Sequence, residues 1–362
     1  MIKSFFTKEQ NWLDQWDNYL QGTERGLFIQ MSLWIKSYDV YGFDYDFYII
    51  TKNDEIIGGC AMVIPKFSFF KFLIVPCGPV LNNGEEYLID SVINDLNEYA
   101  VQKKCCFLQI NVPIVKDNKN FHDYALSKIA SDSIFYSGLE GTKFKYVIPL
   151  HGMRLIDLNQ KNFEEVVQGF SSNHKRNLTK ATSYDFQFKQ VITEKEIAEA
   201  YACFVQNSIN KGYPLRSYDS MKSTLQQYIA NNQAIIGTCV YQNKVVGAIF
   251  VILCGQRMIY INGGVLSEYQ NMPISIYMHC ELIKISIQKG YKSYDLSVGG
   301  SEGVLRFKEG FGSQLFNFEN SRYWVFKPFY FKLFNLIEKR IKPYKQPIAK
   351  LLFTLKRVFN SH

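Results

Sequence analysis

The sequence predicts a mixed α/β (α+β) fold in which one structural unit occurs twice. Two predicted hairpins, at 50–59 and 240–248, share an asparagine turn followed by apolar residues and a glycine. Their turn residues Asn53 and Asn243 lie 190 residues apart. Each hairpin precedes a strand, a helix and a strand, and a chain of this length suits two domains of roughly 150 residues. We therefore predict an internal duplication, with chance similarity between two common turns as the alternative.

The first copy carries apolar residues at helical and strand spacings. Trp12, Leu13, Trp16 and Leu20 recur at helical spacing, and a second amphipathic stretch follows the first hairpin. The predicted elements are a helix at 7–21, a strand entering a helix capped near Ser32 at 28–38, strands at 45–51, 56–64 and 72–75, a helix at 86–103 and a strand at 106–112.

The second copy repeats this order after a boundary near 151–156. Its hairpin strands flank the turn Gln242–Lys244 and are followed by a third apolar strand. The predicted elements are a helix at 194–210, strands at 234–241, 245–253 and 258–263, a helix at 275–289 and a strand at 293–298. An antiparallel hairpin followed by strand, helix and strand gives a mixed sheet.

Composition excludes several classes of protein. The hydrophobic share of 47% supplies a sizeable core, and the eight cysteines and five histidines form no C-x-x-C pair or catalytic Ser-His-Asp or Cys-His set. A structural zinc site and bound cofactors are therefore not expected. The N-terminus turns polar at once, and no run of about 18 apolar residues occurs. We expect a cytoplasmic protein with reduced thiols.

The stretch 290–312 is the strongest candidate for chemistry. A predicted strand runs into a Gly299–Gly300 turn, a loop then presents Phe307 and Lys308, and the chain reverses at 310–312. Glycines permit close backbone approach to a ligand, and a lysine on such a loop can meet an oxyanion or a phosphate. The alternative is a solvated lysine in a βα turn.

These residues, in their order along the chain, resemble the Fem-type (FemABX) peptidoglycan-bridge aminoacyltransferases, which are tandem GNAT-like (acyl-CoA N-acyltransferase-like) proteins. The resemblance rests on 294–296, the Gly299–Gly300 pair, Phe307–Lys308 and 310–312, together with the basic stretch 171–181 and the N-terminal Gln30, Trp34 and Lys36. It implies domains at 1–152 and 153–325, followed by a basic helical tail at 326–362. It also implies transfer of an amino acid from aminoacyl-tRNA to an amine of a peptidoglycan precursor.

The resemblance also assigns roles to individual residues. It makes Lys308 the group that stabilises the oxyanion and Phe307 the residue that fixes its position. It implies that basic residues hold a diphosphate of the acceptor, for which Lys36 beside Trp34, Lys211 and Arg216 are the candidates. Each of these three basic residues has a solvated surface role as its alternative.

Further candidates come from the residues themselves. Tyr260 and Asn262 alternate on one predicted strand and are expected to face the same groove, with hydrogen bonding in the core as the alternative. Asp295 at a strand end is either a base or a residue that fixes the loop, and Gly300 allows close backbone approach. The basic residues of 171–181 suit phosphates at a helix N-terminus or form a solvated face; they are Lys175, Arg176 and Lys180.

The donor is expected to be aminoacyl-tRNA rather than acyl-CoA. An acyl-CoA-dependent GNAT cradles pyrophosphate with backbone N–H groups of a glycine-rich turn, but the corresponding segment 269–276 contains no glycine. The matching segment of the first copy, 81–86, contains one. Acyl-CoA stays the alternative donor.

The C-terminal segment from 321 carries ten basic residues and one acid, whereas the whole chain has a net charge of +8. The rest of the chain is therefore near neutral, which argues against a DNA-binding surface there. A predicted helix from Pro347 places Ile348, Leu351, Leu352, Leu355, Val358 and Phe359 on one apolar stripe. We expect this tail to contact the inner membrane surface; packing on the body or on a second copy is the alternative.

Together these observations predict an acyl or aminoacyl transferase that forms an amide on a lipid-linked or nucleotide-linked cell-envelope precursor. It would be peripheral on the inner face of the membrane. Two alternatives stay open. One is a GNAT-type N-acyltransferase acting on an amino sugar of a surface polysaccharide, and the other is a non-catalytic pair of GNAT-like domains used for binding.

Overall fold

The computed structural model describes residues 1–67, 70–111, 134–136, 147, 150–318 and 321–341. The chain divides into two compact units. The first comprises Met1–Gly152 and Asn317–His362, and the second comprises Met153–Phe316. The first unit is therefore built from both ends of the chain, and each unit is described in turn.

The first unit contains one mixed sheet with helices packed on it. Its path runs β1-β2-β3-β5-β7-β16-β8, with β4 paired to β5 and β6 to β3. Strands β5 and β7 are parallel, and β16 runs antiparallel to both β7 and β8. The strands are β1 Ile2–Thr7, β2 Asp44–Lys52, β3 Glu55–Ile64, β4 Lys66–Phe67, β5 Phe70–Val75, β6 Val80–Leu81, β7 Phe107–Asn111, β8 Ile134–Tyr136 and β16 Ser321–Val325.

The helices of the first unit bury apolar faces on this sheet. They are α1 Gln10–Gly22, α2 Ser32–Lys36, α3 Ile89–Gln102 and α10 Pro328–Ile341, with 3-10 turns at Phe28–Gln30, Ser37–Tyr41 and Glu86–Leu88. Helix α3 places Val92, Ile93 and Leu96 in the core beside Leu73 and Leu108. Helix α1 buries Leu13, Trp16 and Leu20 completely. The apolar spacing seen in the sequence is therefore the packed face of each helix.

The second unit has its own mixed sheet, ordered β10-β11-β12-β13-β14-β9-β15. Its strands are β9 Gly152–Asp157, β10 Gln187–Gln190, β11 Ala234–Tyr241, β12 Lys244–Cys254, β13 Arg257–Val265, β14 Ser293–Asp295 and β15 Gln314–Asn317. Its helices are α4 Phe163–Gln168, α5 Ser172–Ala181, α6 Glu194–Lys211, α7 Tyr218–Ala230, α8 Ile274–Gln288 and α9 Glu302–Glu309, with a 3-10 turn at Ser267–Tyr269. Strands β13 and β14 are parallel, joined by α8, which buries Met278, Leu282 and Ile283.

The two hairpins match in detail. Asn53 and Asp54 have φ angles of 53° and 67°, and Gln242 and Asn243 have φ angles of 50° and 62°. Two successive left-handed residues form the turn that matches strand twist. Each hairpin then has a register shift that leaves Ile57 or Val246, the residue before the glycine, as the extra residue. The shared turn and bulge support the predicted duplication.

Several sequence-based expectations about elements were wrong. The predicted strand within 28–38 is a 3-10 turn, and α2 begins at Ser32, whose N–H and hydroxyl bind the buried Asp17 carboxylate. The strand predicted at 293–298 stops at Asp295. Lys308 and Phe307 lie on helix α9, not on a loop. An apolar pattern alone does not distinguish a short helix or 3-10 turn from a short strand or loop.

The predicted boundaries also change. The second unit ends at Phe316 rather than at 325, because β16 pairs with β7 of the first unit. The predicted tail at 326–362 is not separate, since its first half is α10, which buries Phe331 and Phe334 in the first unit. The apolar helix predicted from Pro347 lies outside the described residues. Within the described part of the chain, no helix is long and apolar enough to cross a membrane.

Candidate active site

The site begins where β14 ends in the second unit. Asp295 is 3% exposed, and its Oδ1 accepts hydrogen bonds from the backbone N–H of Arg154 at 3.0 Å and of Ser297 at 2.7 Å. Burial raises the pKa of this carboxyl, although the two N–H donors and the charges of Arg257 and Lys308 oppose the shift. Asp295 therefore holds the turn that follows the strand.

This turn directs carbonyl oxygens towards one point. Ser297 has a φ of +55°, an uncommon conformation for a residue with a side chain. Gly300 has a φ of +142°, and a Cβ there would lie 2.5 Å from Val304 Cγ1. Only glycine fits at position 300, so Gly300 serves the tight entry into α9, whereas a Cβ at Gly299 would meet nothing within 4 Å.

The side chain of Lys308 reaches back from α9 to this turn. It is 3% exposed, and Nζ donates to Gly299 O at 2.7 Å, Ser297 O at 3.0 Å and Ser297 Oγ at 3.2 Å. Burial lowers the pKa of Lys308 from 10.5 to about 8, against the opposing attraction of Asp295. The site therefore contains a desolvated ammonium held by three oxygens.

The Tyr260 ring lies beside this ammonium, and His279 and Tyr294 pack behind that ring. Nζ lies 5.6 Å from the centre of the Tyr260 ring, a distance at which a cation is attracted to a π face. The His279 ring lies 4.9 Å from that of Tyr260, and its Nδ1 lies 2.9 Å from the hydroxyl of Tyr294. Burial, with the nearby Lys308 charge, lowers the pKa of His279 to about 3, so this ring is neutral at physiological pH.

Helix α5 fixes the far end of α9. The N–H of Ser171 donates to Gly310 O at 2.8 Å, and a Cβ at Gly310 would lie 2.2 Å from the His174 ring. The same His174 ring contacts Phe307 and Phe311 at centroid distances of 5.1 and 4.6 Å. Phe307 therefore packs α9 against the His174 ring of α5.

Tyr260 and Asn262 do not follow the simple alternation that the sequence indicated. A register shift in β13 pairs Tyr260 with Val251 and Asn262 with Phe250, which are adjacent on β12 and alternate in face. The Asn262 side chain accepts a hydrogen bond from the Tyr213 hydroxyl at 3.2 Å, and Tyr213 in turn accepts one from Asn207 at 3.0 Å. The expectation of one shared face was wrong because of the bulge.

The remaining candidates of the second unit lie on its helices and loops. Lys211 is the exposed last residue of α6, and the Arg216 carbonyl accepts a hydrogen bond from Tyr201 at 2.6 Å. Tyr213 connects this loop to β13 through Asn262. Three basic side chains of α5 are exposed: Lys175, Arg176 and Lys180.

Trp34 and Lys36 lie in the first unit, on α2. Trp34 is 7% exposed and packs edge-on against Phe28, and its indole N–H finds no acceptor among the described residues. Lys36 donates to Gln10 Oε1 at 2.7 Å, and burial lowers its pKa. Trp34 is therefore buried in its own unit, whereas Lys36 is partly exposed.

The family model described as "FemAB family" matches residues 13–235 and 185–339. The chain belongs to the FemAB family. It is an acyltransferase, and this membership supports a role in cell-wall synthesis. Comparison of the sequence with curated proteins finds no significant match.

Solved structures similar to this FemAB-family chain share its tandem fold. FemX matches with a TM-score of 0.79 at 10% identity, covering 92% of this chain and 100% of FemX. A conserved protein of unknown function from Bacteroides thetaiotaomicron matches with a TM-score of 0.60 at 12% identity, covering 89% and 99%. A tandem GNAT protein from the clavulanic acid biosynthesis pathway matches with a TM-score of 0.51 at 10% identity, covering 89% and 98%. The expected pair of GNAT-like domains is thus confirmed.

Sequence reasoning missed four residues that shape the site of this FemAB-family protein. They are Tyr213, His174, His279 and Ser297. An isolated histidine or tyrosine carries no local pattern, and their roles depend on contacts made across elements distant in sequence. Ser297 had a weak signal, since a small polar residue between a strand and a Gly-Gly turn favours left-handed backbone only modestly.

Proposed function

We propose that this protein transfers an amino acid from aminoacyl-tRNA to an amine of a peptidoglycan-type precursor, with Lys308 stabilising the oxyanion. The observation that carries the proposal is the buried Lys308 ammonium, held by Ser297 and Gly299 beside the Tyr260 ring. A preorganised cation in a water-poor site gains most when negative charge develops nearby.

The reaction makes one bond and breaks one bond at the acyl carbon. The acceptor amine attacks the ester carbonyl, and the carbonyl oxygen becomes negative in the tetrahedral intermediate. Collapse forms the amide and releases the ribose hydroxyl of the donor, while the proton lost by the amine is gained by that hydroxyl. Lys308 would exchange one carbonyl contact for the oxyanion during the addition step. One such donor contributes about 3 kcal/mol to the transition state.

Asp295 is better suited to support the turn than to act as the base. Its Oδ1 already accepts two backbone N–H bonds, and the residue is 3% exposed. A carboxylate so occupied has little freedom to approach an amine of the acceptor. The proton lost by the attacking amine is therefore not expected to pass through Asp295.

The segment between β13 and α8 favours aminoacyl-tRNA over acyl-CoA. A pyrophosphate cradle needs free backbone N–H groups, and here those of Tyr269, Met272 and Ile274 donate to Leu266, Tyr269 and Met272 carbonyls. Pro273, at the start of α8, has no N–H to offer. Acyl-CoA would have to bind without this cradle.

The acceptor is proposed to be lipid-linked or nucleotide-linked, with a diphosphate recognised by basic residues. Lys36 beside Trp34 in the first unit is one candidate contact. Those in the second unit are Lys211, Arg216, Tyr260, Asn262 and Gly300. The indole N–H of Trp34 has no acceptor among the described residues but is itself buried, so the partly exposed Lys36 is the accessible polar group of α2.

The test uses two labelled donors in parallel. The protein is incubated with radiolabelled aminoacyl-tRNA or with radiolabelled acyl-CoA, each against extracted lipid-linked and nucleotide-linked precursors and against an amino-sugar acceptor. Label moving from aminoacyl-tRNA to the peptide amine is the expected result. Label that moves only from acyl-CoA to the amino sugar would contradict this proposal and would indicate an N-acyltransferase that acts on an amino sugar.

A substitution ties the activity to Lys308. Lys308→Ala is expected to lower kcat by about 100-fold, the equivalent of about 3 kcal/mol. Lys289→Ala, an exposed lysine of the same unit, is the matched control and is expected to leave kcat unchanged. Full turnover by Lys308→Ala would remove the oxyanion role.

A further inference from the structure

Lysines gather at one edge of the first unit's sheet. Strands β5 and β7 begin there and β16 ends there, because Phe107 lies opposite both Phe72 and Val325. The N–H of Cys106 donates to Lys71 O at 2.7 Å. The Lys327 ammonium donates to Lys104 O at 3.1 Å. Three lysines that are distant in sequence therefore meet at this edge.

Helix α10 leaves the same edge with apolar residues on two faces. Its inner face buries Phe331 and Phe334, whose rings contact Phe107 at 5.3 and 6.0 Å. Its outer face leaves Phe329 72% exposed and Leu336 67% exposed. Residues seven apart lie on one side of a helix, so these two form an outward apolar stripe.

The short strand β4 extends this surface. Lys66 pairs with Lys71 and Phe67 pairs with Phe70, whose ring contacts that of Tyr330 on α10 at 6.2 Å. Phe67 is 37% exposed. We name the resulting surface the aromatic-basic edge, defined by Lys66, Phe67, Lys71, Phe329, Lys332 and Leu336.

We propose that the aromatic-basic edge docks on the surface of an anionic lipid bilayer. Exposed Phe and Leu side chains with lysines between them suit the boundary between lipid headgroups and acyl chains. Strands β4 and β5 contain no acidic residue, and α10 carries Lys332, Lys339 and Arg340 against one acid, Glu338, so these elements have a net positive charge that attracts anionic headgroups. The inference places the contact on a folded surface rather than on the helix predicted from Pro347, and it holds whichever acyl group or acceptor the enzyme uses.

The first test is flotation of the full-length protein with vesicles. Wild-type protein is expected to float with vesicles of phosphatidylcholine and phosphatidylglycerol and not with phosphatidylcholine alone. The double substitution Phe329→Ser and Leu336→Ser is expected to lower the floated fraction at least about tenfold. Ile192→Ser with Ile209→Ser is the matched control, because these side chains are 76% and 74% exposed in the second unit.

A fluorescent dye gives a second measurement, which does not depend on a loss of vesicle binding. The eight native cysteines are buried, so a cysteine introduced as Phe329→Cys can be labelled selectively with an environment-sensitive dye. Anionic vesicles are expected to shift its emission to the blue, whereas the same dye on Ile209→Cys is expected to show no shift.

Several outcomes would overturn the inference. One is flotation of the Phe329→Ser and Leu336→Ser variant equal to that of wild type, and another is no flotation of wild type at all. A dye at position 329 that is already shifted without vesicles would show that the C-terminal segment or a second copy covers the stripe. A shift produced by tRNA but not by vesicles would make the edge a nucleic-acid surface instead.

Discussion

The Lys308 ammonium is buried, and its charge therefore depends on pH near neutrality. Because burial lowers its pKa to about 8, a role as a cation requires protonation that is lost above that pH. Because the acceptor amine also titrates in this range, the single-turnover rate of wild type is divided by that of Lys308→Arg, whose charge stays fixed. This ratio is expected to be flat below pH 8 and to fall about tenfold per unit well above it. A pH profile of aminoacyl transfer measures this limb.

Lys308→Arg is the informative companion variant, because the guanidinium stays charged throughout this range. Its rate is expected to be low, since a planar fork does not fit three oxygens placed for an ammonium, but its profile should lack the limb near pH 8. A ratio of the wild-type rate to the Lys308→Arg rate that rises through pH 8 would instead make the neutral amine of Lys308 a base.

The same residue makes stability depend on pH. The unfolded chain keeps Lys308 protonated up to about 10.5, while the folded protein releases that proton near 8. Between these values the unfolded state binds more protons, so folding gains stability as pH rises. Relative to Lys308→Met, wild type is expected to gain about 2 kcal/mol between pH 7 and pH 10. Urea denaturation at both pH values checks this, and a constant difference between the two proteins would contradict it.

At the scale of elements, the contact of α9 with α5 depends on a missing side chain. A Cβ at Gly310 would lie 2.2 Å from the His174 ring, so Gly310→Ala must separate the two helices or displace the ring. We expect a loss of about 1–3 kcal/mol of stability and a lower transfer rate, because α9 carries Lys308. Gly303→Ala on the same helix meets nothing within 4 Å and is expected to be neutral or stabilising.

A second substitution distinguishes a clash from a backbone effect. His174→Ala removes the ring that the new Cβ would meet, so it should recover part of the stability lost in Gly310→Ala. Thermal unfolding of the two single variants and the double variant gives the coupling between them. Additive losses would mean that Gly310 is needed for its backbone conformation and not for its contact with His174.

Long helices and strands with a sustained apolar pattern could be predicted from the sequence, whereas short elements could not. The hairpins and helices α3, α6 and α8 agree with the predicted ranges to within a few residues, because long apolar patterns report packing on a sheet. Helix α9 was predicted as a loop, because its eight residues contain one glycine and lie between the Gly299–Gly300 pair and Gly310. The β-bulge that places Tyr260 and Asn262 on different faces of the sheet cannot be recognised from the alternation of residues in the sequence.

At the scale of the whole molecule, the chain returns to its first unit after completing the second. Strand β16 lies between β7 and β8, with Tyr323 and Trp324 buried. The sequence analysis assigned this strand to the second domain and the residues after it to a separate tail. It did so because a basic and aromatic composition is typical of a surface segment. Strand pairing between residues more than 200 positions apart leaves no local pattern in the sequence. One example is the hydrogen bond that the Asn111 side chain donates to the Ser321 hydroxyl at 2.6 Å.

This return predicts opposite effects for two truncations. Ending the chain after Phe316 removes β16 and α10, which leaves β7 without its neighbour and uncovers Phe72 and Phe107, both 0% exposed in the intact protein. An unpaired strand with an exposed apolar face favours aggregation, so this variant is expected to be insoluble or to lose cooperative unfolding. Ending the chain after Ile341 keeps these elements and is expected to retain solubility and the urea midpoint of the full chain. Sedimentation and urea denaturation measure both; a soluble, cooperatively folded chain ending at Phe316 would show that the first unit folds without its C-terminal strand.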